Sequence, residues 1–194
     1  DGGFAQATPG VYTAAFSVRN SRGNTATATK TITVLADQTA LTVTDATLRV
    51  GDPWTPADTF VSAIDADGTT VNLAAVTVTD ASAVDTTRPG TYAVTYTIKN
   101  HGGEDVSETA TITVEAVPPV ITTDTLPDTS QGASYEQMVT ATGTAPVTFA
   151  ISTGTLPPGL TLDPTTGALT GTTTGSGVFS FTVTATNSGG SDSH

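Results

Sequence analysis

The 194-residue chain contains no cysteine. Disulfides therefore hold no part of it, and the disulfide-stapled class of small secreted domains is excluded. Basic residues are almost as scarce: Lys and Arg number 6 against 18 Asp and Glu, a formal net charge of -12. No basic patch exists to neutralise phosphates, so the sequence speaks against nucleic-acid partners and against attraction to anionic membranes. No apolar run reaches the length of a membrane span, so no membrane insertion is expected in this segment, and no signal peptide or lipidation motif is visible. Leucine is sparse, methionine occurs once, and no amphipathic helical period can be traced. Catalytic signatures are missing as well. The two histidines are His101, in a Gly-containing loop, and His194 at the terminus, and there is no nucleophile elbow, metal-binding His pair or phosphate-cradling glycine loop. The chain reads as a non-enzyme.

What is there is threonine, with valine, alanine, glycine and aspartate behind it. β-Branched residues in short alternating runs, separated by Gly, Pro and Asn, predict an all-β protein. The acids are scattered, as on a solvated surface.

The chain also repeats itself. TPGVYTAAFSVRNSRGNTATATKTITV, from Thr8, returns 80 positions later as RPGTYAVTYTIKNHGGEDVSETATITV, from Arg88, without a gap. A third, more distant copy follows at an offset of 87, placing Gly90 on Gly177, Tyr92 on Phe179, Tyr96 on Val183 and Asn100 on Asn187. Each copy has a turn, a strand of period two (Tyr12, Ala14, Phe16, Val18; Tyr92, Val94, Tyr96, Ile98), then an Asn-led loop. The first two add a second alternating strand. The full middle copy adds strands at 41–43, 46–50, 60–64 and one or two more across 71–78, about seven in all, the pattern of an immunoglobulin-like β-sandwich. Tyr12 and Tyr92 fall where a tyrosine corner belongs, whereas Phe179 lacks the hydroxyl. The polar junction 36–40 and the proline junction 115–120 divide the chain. The expected organisation is 1–36 as the closing hairpin of one module, 37–116 as a complete module, and 117–194 as a module without its last strand, strung end to end. Both ends are expected to fall inside a module.

Two stretches of the middle module, LRVGDPWTPADTFVSAIDADGTTV and VDTTRPGTYAVTYTIKN, resemble the group 3 bacterial Ig-like domains of internalin-type surface proteins. LPPGLTLDPTTGALTGTTTGSGVFSFTVTATNSGG resembles the Ig/cadherin-like domains of secreted bacterial proteins. The resemblance implies sandwich folds in an extracellular bacterial setting, at the cell surface or secreted, and a spacer or adhesive stalk in place of a reaction. Two alternatives follow it: an accessory, glycan-binding region of a secreted polysaccharide-degrading enzyme, and a fibre subunit in which residues 25–34 complete another copy's third module by strand exchange. The partners expected are neighbouring modules of a longer chain and a host or surface glycan or protein.

The candidate sites are few. Trp54, the only tryptophan, is either a sugar-stacking platform or, as favoured, the anchor that the group 3 resemblance implies. Glu115, Asp124 and Asp128 flank the proline junction; they read as exposed acids, the alternative being that they hold a stiffening calcium ion, as in cadherin-like modules, and no other cofactor is implied. Asp65-Ala-Asp67-Gly68 and Asp163-Pro-Thr-Thr-Gly167 read as turns. Tyr135 reads as a core or edge residue. Lys30 lies on the inward parity of its strand, where a snorkelling lysine is favoured over an isopeptide link.

Overall fold

The computed structural model describes residues 8–194. Residues 1–7, the start of the predicted 1–36 segment, lie outside the described residues. By compactness the chain falls into two units, one of residues up to Asp45 with Thr55–Ser82 and Ala93–Thr111, the other of Ala46–Trp54, Ala83–Tyr92 and Ile112–His194.

The first unit opens with a ten-pair antiparallel hairpin, β1 (Gly10–Arg19) against β2 (Thr25–Val34), in register from Gly10↔Val34 to Arg19↔Thr25. Asn20 closes it: its side-chain oxygen accepts the N–H groups of Arg22 and Asn24 at 2.9 and 3.0 Å. The repeat 80 residues on uses the same device, Asn100 accepting the N–H of Glu104 at 2.8 Å between β7 (Gly90–Lys99) and β8 (Asp105–Glu115). The repeated sequence thus encodes a repeated hairpin, down to the amide that fixes its loop.

The middle copy contains β3 (Ala40–Val43) paired with β5 (Phe60–Ile64), and a four-stranded sheet in the order β4–β8–β7–β6, with β4 at Ala46–Arg49 and β6 at Thr77–Thr79. β4 runs parallel to β8; the other assigned pairings are antiparallel. There are six strands, against the predicted seven or so. Leu73–Ala75 and Ala81–Ala83 form 3-10 turns, so the 71–78 stretch contributes only β6. Val94, Tyr96, Ile98, Ala110, Ile112 and Val114 are all buried, which is the inward parity read from the sequence.

The last copy comprises β9 (Val120–Ile121), β10 (Ser134–Met138), β11 (Ala141–Thr142), β12 (Thr148–Gly154), β13 (Leu160–Leu162), β14 (Ala168–Thr172), β15 (Phe181–Asn187) and β16 (Gly190–Ser193). They form the sheets β10–β14–β13 and β12–β15–β16 and the pair β11–β9, around cores built on Val139, Phe149, Val183 and Ala185 and on Tyr135, Leu160 and Leu169. The expectation that this copy lacks its last strand needs correction. β16 is present, pairing with β15 from Asn187↔Gly190 to Thr184↔Ser193, though it has four residues where β8 has eleven. Its loop is also one residue tighter than that of the middle copy, where Asn100 bonds to Glu104. A one-residue change of register exchanges the faces of a strand, so Asp192, not Ser193, stands opposite buried Ala185.

Candidate functional site

The hairpin β1–β2 and its 80-residue repeat differ most in what covers them. Tyr96 is fully buried, yet its counterpart Phe16 is 59 % exposed; Ile112 is fully buried and Ile32 is 44 % exposed. Val11 and Val18 are exposed too. Lys30 pairs with Ala14 in the ladder and is exposed, the place taken in the second copy by buried Ala110.

Both tyrosine corners are formed. The Tyr12 hydroxyl donates to the Thr8 carbonyl and that of Tyr92 to the Arg88 carbonyl, each reaching back four residues. In the third copy Phe179 cannot do this. There the buried tyrosine is Tyr135, on a different strand, donating to the Pro127 carbonyl at 3.0 Å. Burial, with a smaller contribution from the Asp128 carboxylate, raises the Tyr135 pKa above that of an ordinary phenol.

Sequence reading missed the most enclosed polar group of the middle copy. Thr59 is fully buried, and its hydroxyl lies 2.6 Å from that of Tyr96, which itself donates to the Pro56 carbonyl at 2.9 Å. One tyrosine hydroxyl has one proton, so Thr59 is the donor to Tyr96. The signal was present in part: Thr55 and Asp58 bracket a Pro-led turn, with the Asp58 carboxylate accepting the Thr55 N–H at 2.7 Å. Nothing in the period-two pattern singles out the threonine that follows.

Trp54 is half-buried, and its indole Nε1 is buried without a hydrogen-bond partner. Glu115 ends β8, Asp124 follows β9 and Asp128 lies in the loop before β10; all three are exposed. Among the described residues no set of three or more His, Asp or Glu side chains converges as metal ligands would, so these three are not gathered into one cluster. The acids at other places serve turns. The Asp163 carboxylate accepts from the Thr165 hydroxyl at 2.7 Å and from the N–H groups of Thr165 and Thr166 at 2.8 and 2.9 Å. These bonds, the Thr165 hydroxyl foremost, bring its pKa down from 3.8 to about 2. A carboxyl whose folded pKa is depressed adds stability above its unfolded pKa and loses it as pH falls through the folded one. The Thr165 and Thr166 amide resonances are therefore expected to stay unchanged down to pH about 4 and to move with a midpoint near pH 2. A midpoint near the ordinary aspartate value in an NMR titration would show that the turn is not held in this way.

The junctions are the other polar constructions. Asp37 accepts the Thr39 N–H and the His101 N–H, both at 2.9 Å, tying the 36–40 segment to the loop between β7 and β8. Its pKa is lowered by the Thr39 hydroxyl first and then by these N–H groups. At the proline junction the Val117 N–H donates to the Thr144 hydroxyl at 2.8 Å and its carbonyl accepts the Thr144 N–H at 3.0 Å. The Asn187 side-chain amide donates to the carbonyls of both Val117 and Thr144, each at 2.8 Å. The last residue of β15 thus holds the chain that enters the third copy.

Comparison with known proteins agrees with this architecture. The family described as "Bacterial Ig-like domain (group 3)" matches residues 41–114 and the one described as "Putative Ig domain" matches residues 118–194. No curated protein matches the chain. Solved structures similar to it include extracellular domains 3–5 of Drosophila OTK, at 15 % identity and a TM-score of 0.37, over 96 % of this chain and 69 % of that one. Immunoglobulin domains 1–4 of Sidekick-1 match at 14 % identity and a TM-score of 0.38, over 92 % and 55 %. The tandem Ig repeats of Dlar match at 19 % identity and a TM-score of 0.29, over 81 % and 93 %.

Proposed function

Since residues 41–114 belong to the group 3 bacterial Ig-like family and residues 118–194 to the "Putative Ig domain" family, we propose that this chain is a spacer or adhesive stalk region of a bacterial cell-surface or secreted protein. Ig-like domains of this kind are typically non-catalytic. The tandem arrangement fits an extracellular structural or adhesive region, and among the described residues no helix is long and apolar enough to cross a membrane. The partners of such a region are the neighbouring modules of its own chain.

The observation that carries the reading is the clasp on the proline junction. A chain that only had to join two domains would leave its linker solvated, but Val117 has both its N–H and its carbonyl engaged, and Asn187 spends its amide on the junction. Both polar groups of Val117 are thus held to the third copy, which fixes where the junction enters that module, as suits a spacer. Asn187→Ala leaves two carbonyls without that donor and is expected to destabilise the third copy by about 1–3 kcal/mol. Amide exchange at Val117 and Thr144 should quicken in parallel. A variant with unchanged stability and unchanged exchange at those two amides would remove the support for a held junction.

Calcium is a separate question for the same region. Small-angle X-ray scattering should give one profile with and without the ion if the junction is held by its own hydrogen bonds alone. A calcium-dependent profile, abolished by replacing Glu115, Asp124 and Asp128 with asparagine or glutamine, would give the junction an ion as well.

A further inference from the structure

Two peptide bonds of this chain join an aspartate to a proline, Asp52–Pro53 and Asp163–Pro164. Each is a tertiary amide, and its aspartate carries a carboxyl within reach of its own main-chain carbonyl carbon, so that attack closes a small ring. The fold treats the two bonds differently. At Asp163 both sides are held. Its carboxylate accepts from the Thr165 hydroxyl and from the N–H groups of Thr165 and Thr166, and the Pro164 carbonyl accepts the Phe149 N–H of β12 at 2.8 Å. At Asp52 the turn before the bond is fixed and the proline after it is exposed. Gly51, at φ +93°, donates its N–H to the Thr86 carbonyl at 2.8 Å, and the Asp52 N–H donates to the Arg49 carbonyl at 3.0 Å. The Asp52 carboxylate, itself exposed, accepts the Arg49 N–H at 2.9 Å. Pro53 has no N–H with which to be tied.

We propose that Asp52–Pro53 is a self-cleavage site of the folded chain in mild acid, and that the cut leaves the middle copy assembled. The protonated Asp52 carboxyl passes its proton to the amide nitrogen while its other oxygen attacks the main-chain carbonyl carbon. The carbon–nitrogen bond breaks, its electron pair stays on the Pro53 nitrogen, and Pro53 leaves as a free secondary amine. Asp52 is left as a cyclic anhydride, which one solvent water opens to the side-chain carboxyl and a new terminal carboxyl. The sum is hydrolysis of one peptide bond. The cut falls between β4 and β5, and strand pairing spans it: β3 stays on β5 and β4 stays on β8. Use of the bond as a place where a stalk is severed without a protease rests on the spacer reading; the cut itself does not.

The test incubates the 194-residue chain at pH about 4, near the ordinary aspartate value, and follows its pieces by mass spectrometry. An Asp163 carboxyl with a pKa of about 2 is protonated in about one molecule in a hundred at that pH, so pieces ending at Asp52 are expected to accumulate at least about tenfold faster than pieces ending at Asp163. Asp52→Asn, which keeps an oxygen for the Arg49 N–H, should abolish the first cut. Thr165→Val, which removes the hydroxyl that holds Asp163, should speed the second. In urea the two bonds should break at similar rates, because the fold no longer tells them apart. At neutral pH the two pieces of the cut chain should elute together on size exclusion and separate in urea. Similar rates at the two bonds in the folded chain, or no cut at Asp52–Pro53, would overturn the proposal. So would the same preference in urea, because local sequence would then make the choice, or pieces that part without denaturant.

Discussion

Tyr96→Ala is expected to cost the middle copy about 3–5 kcal/mol, while Phe16→Ala, the same change at the same place in the repeat, costs less than about 0.5 kcal/mol. The two residues share strand position, inward parity and an aromatic ring, so propensity and local sequence cannot separate them. Burial does: Tyr96 is fully buried and Phe16 is 59 % exposed. Truncating Tyr96 leaves a cavity where its ring stood 6.4 Å from that of Phe60, and strands Thr59. A buried hydroxyl without its partner adds about 1–3 kcal/mol to the cavity cost, which is why Tyr96→Phe should also be measurably destabilising although it keeps the ring. Urea unfolding followed by a probe in the middle copy separates the cases. Equal, small losses for Tyr96→Ala and Phe16→Ala would mean that the middle core does not depend on this ring.

The second large effect is expected at Gly171. It lies in β14 at φ +146°, paired with Leu160 in β13 and with Tyr135 in β10. A Cβ there would press on the Gly159 carbonyl oxygen, inside contact distance and against backbone that has no rotamer to change. Gly171→Ala thus adds backbone strain of about 1–3 kcal/mol to overpacking of about 1–3 kcal/mol, and a total near 3 kcal/mol or more is expected. Gly132→Ala is the control, since Gly132 has φ +83° but open space where its Cβ would lie. It should show the strain alone. If the two variants unfold at the same denaturant concentration, close approach of β13 and β14 is not what Gly171 provides.

The hairpins and their inward faces were legible because period-two alternation and an Asn-led loop are local, and because three copies of one pattern reinforce each other. The tyrosine corners were legible for the same reason: turn, tyrosine and strand lie within a few residues. What escaped depends on distant chain. Thr59 owes its burial to Tyr96, 37 residues on. The stretch from 71 to 78 alternates as a strand does, yet a 3-10 turn takes Leu73–Ala75 out of the ladder. The short closing strand was missed because Gly-Ser-Asp-Ser carries no apolar alternation; it is held by backbone pairing and by the Asp192 carboxylate, which accepts the Ile121 N–H at 2.8 Å. Asn187 was read as a loop residue alone, since nothing local tells that its amide reaches back 70 residues to Val117.

The parallel pairing of β4 with β8 has a mechanical consequence. β4 lies near the entrance of the middle copy and β8 at its exit, and four residue pairs from Ala46↔Ile112 to Arg49↔Glu115 join them. Tension applied at the two ends of that copy draws parallel neighbours in opposite directions along their length, so the rungs share the load in shear and fail together. The hairpin β1–β2 pulled at Gly10 and Val34, which face each other as its outermost pair, is loaded one rung at a time and unzips. Under force the two versions of the repeated hairpin would be a lock and a zipper, written in one alternating pattern.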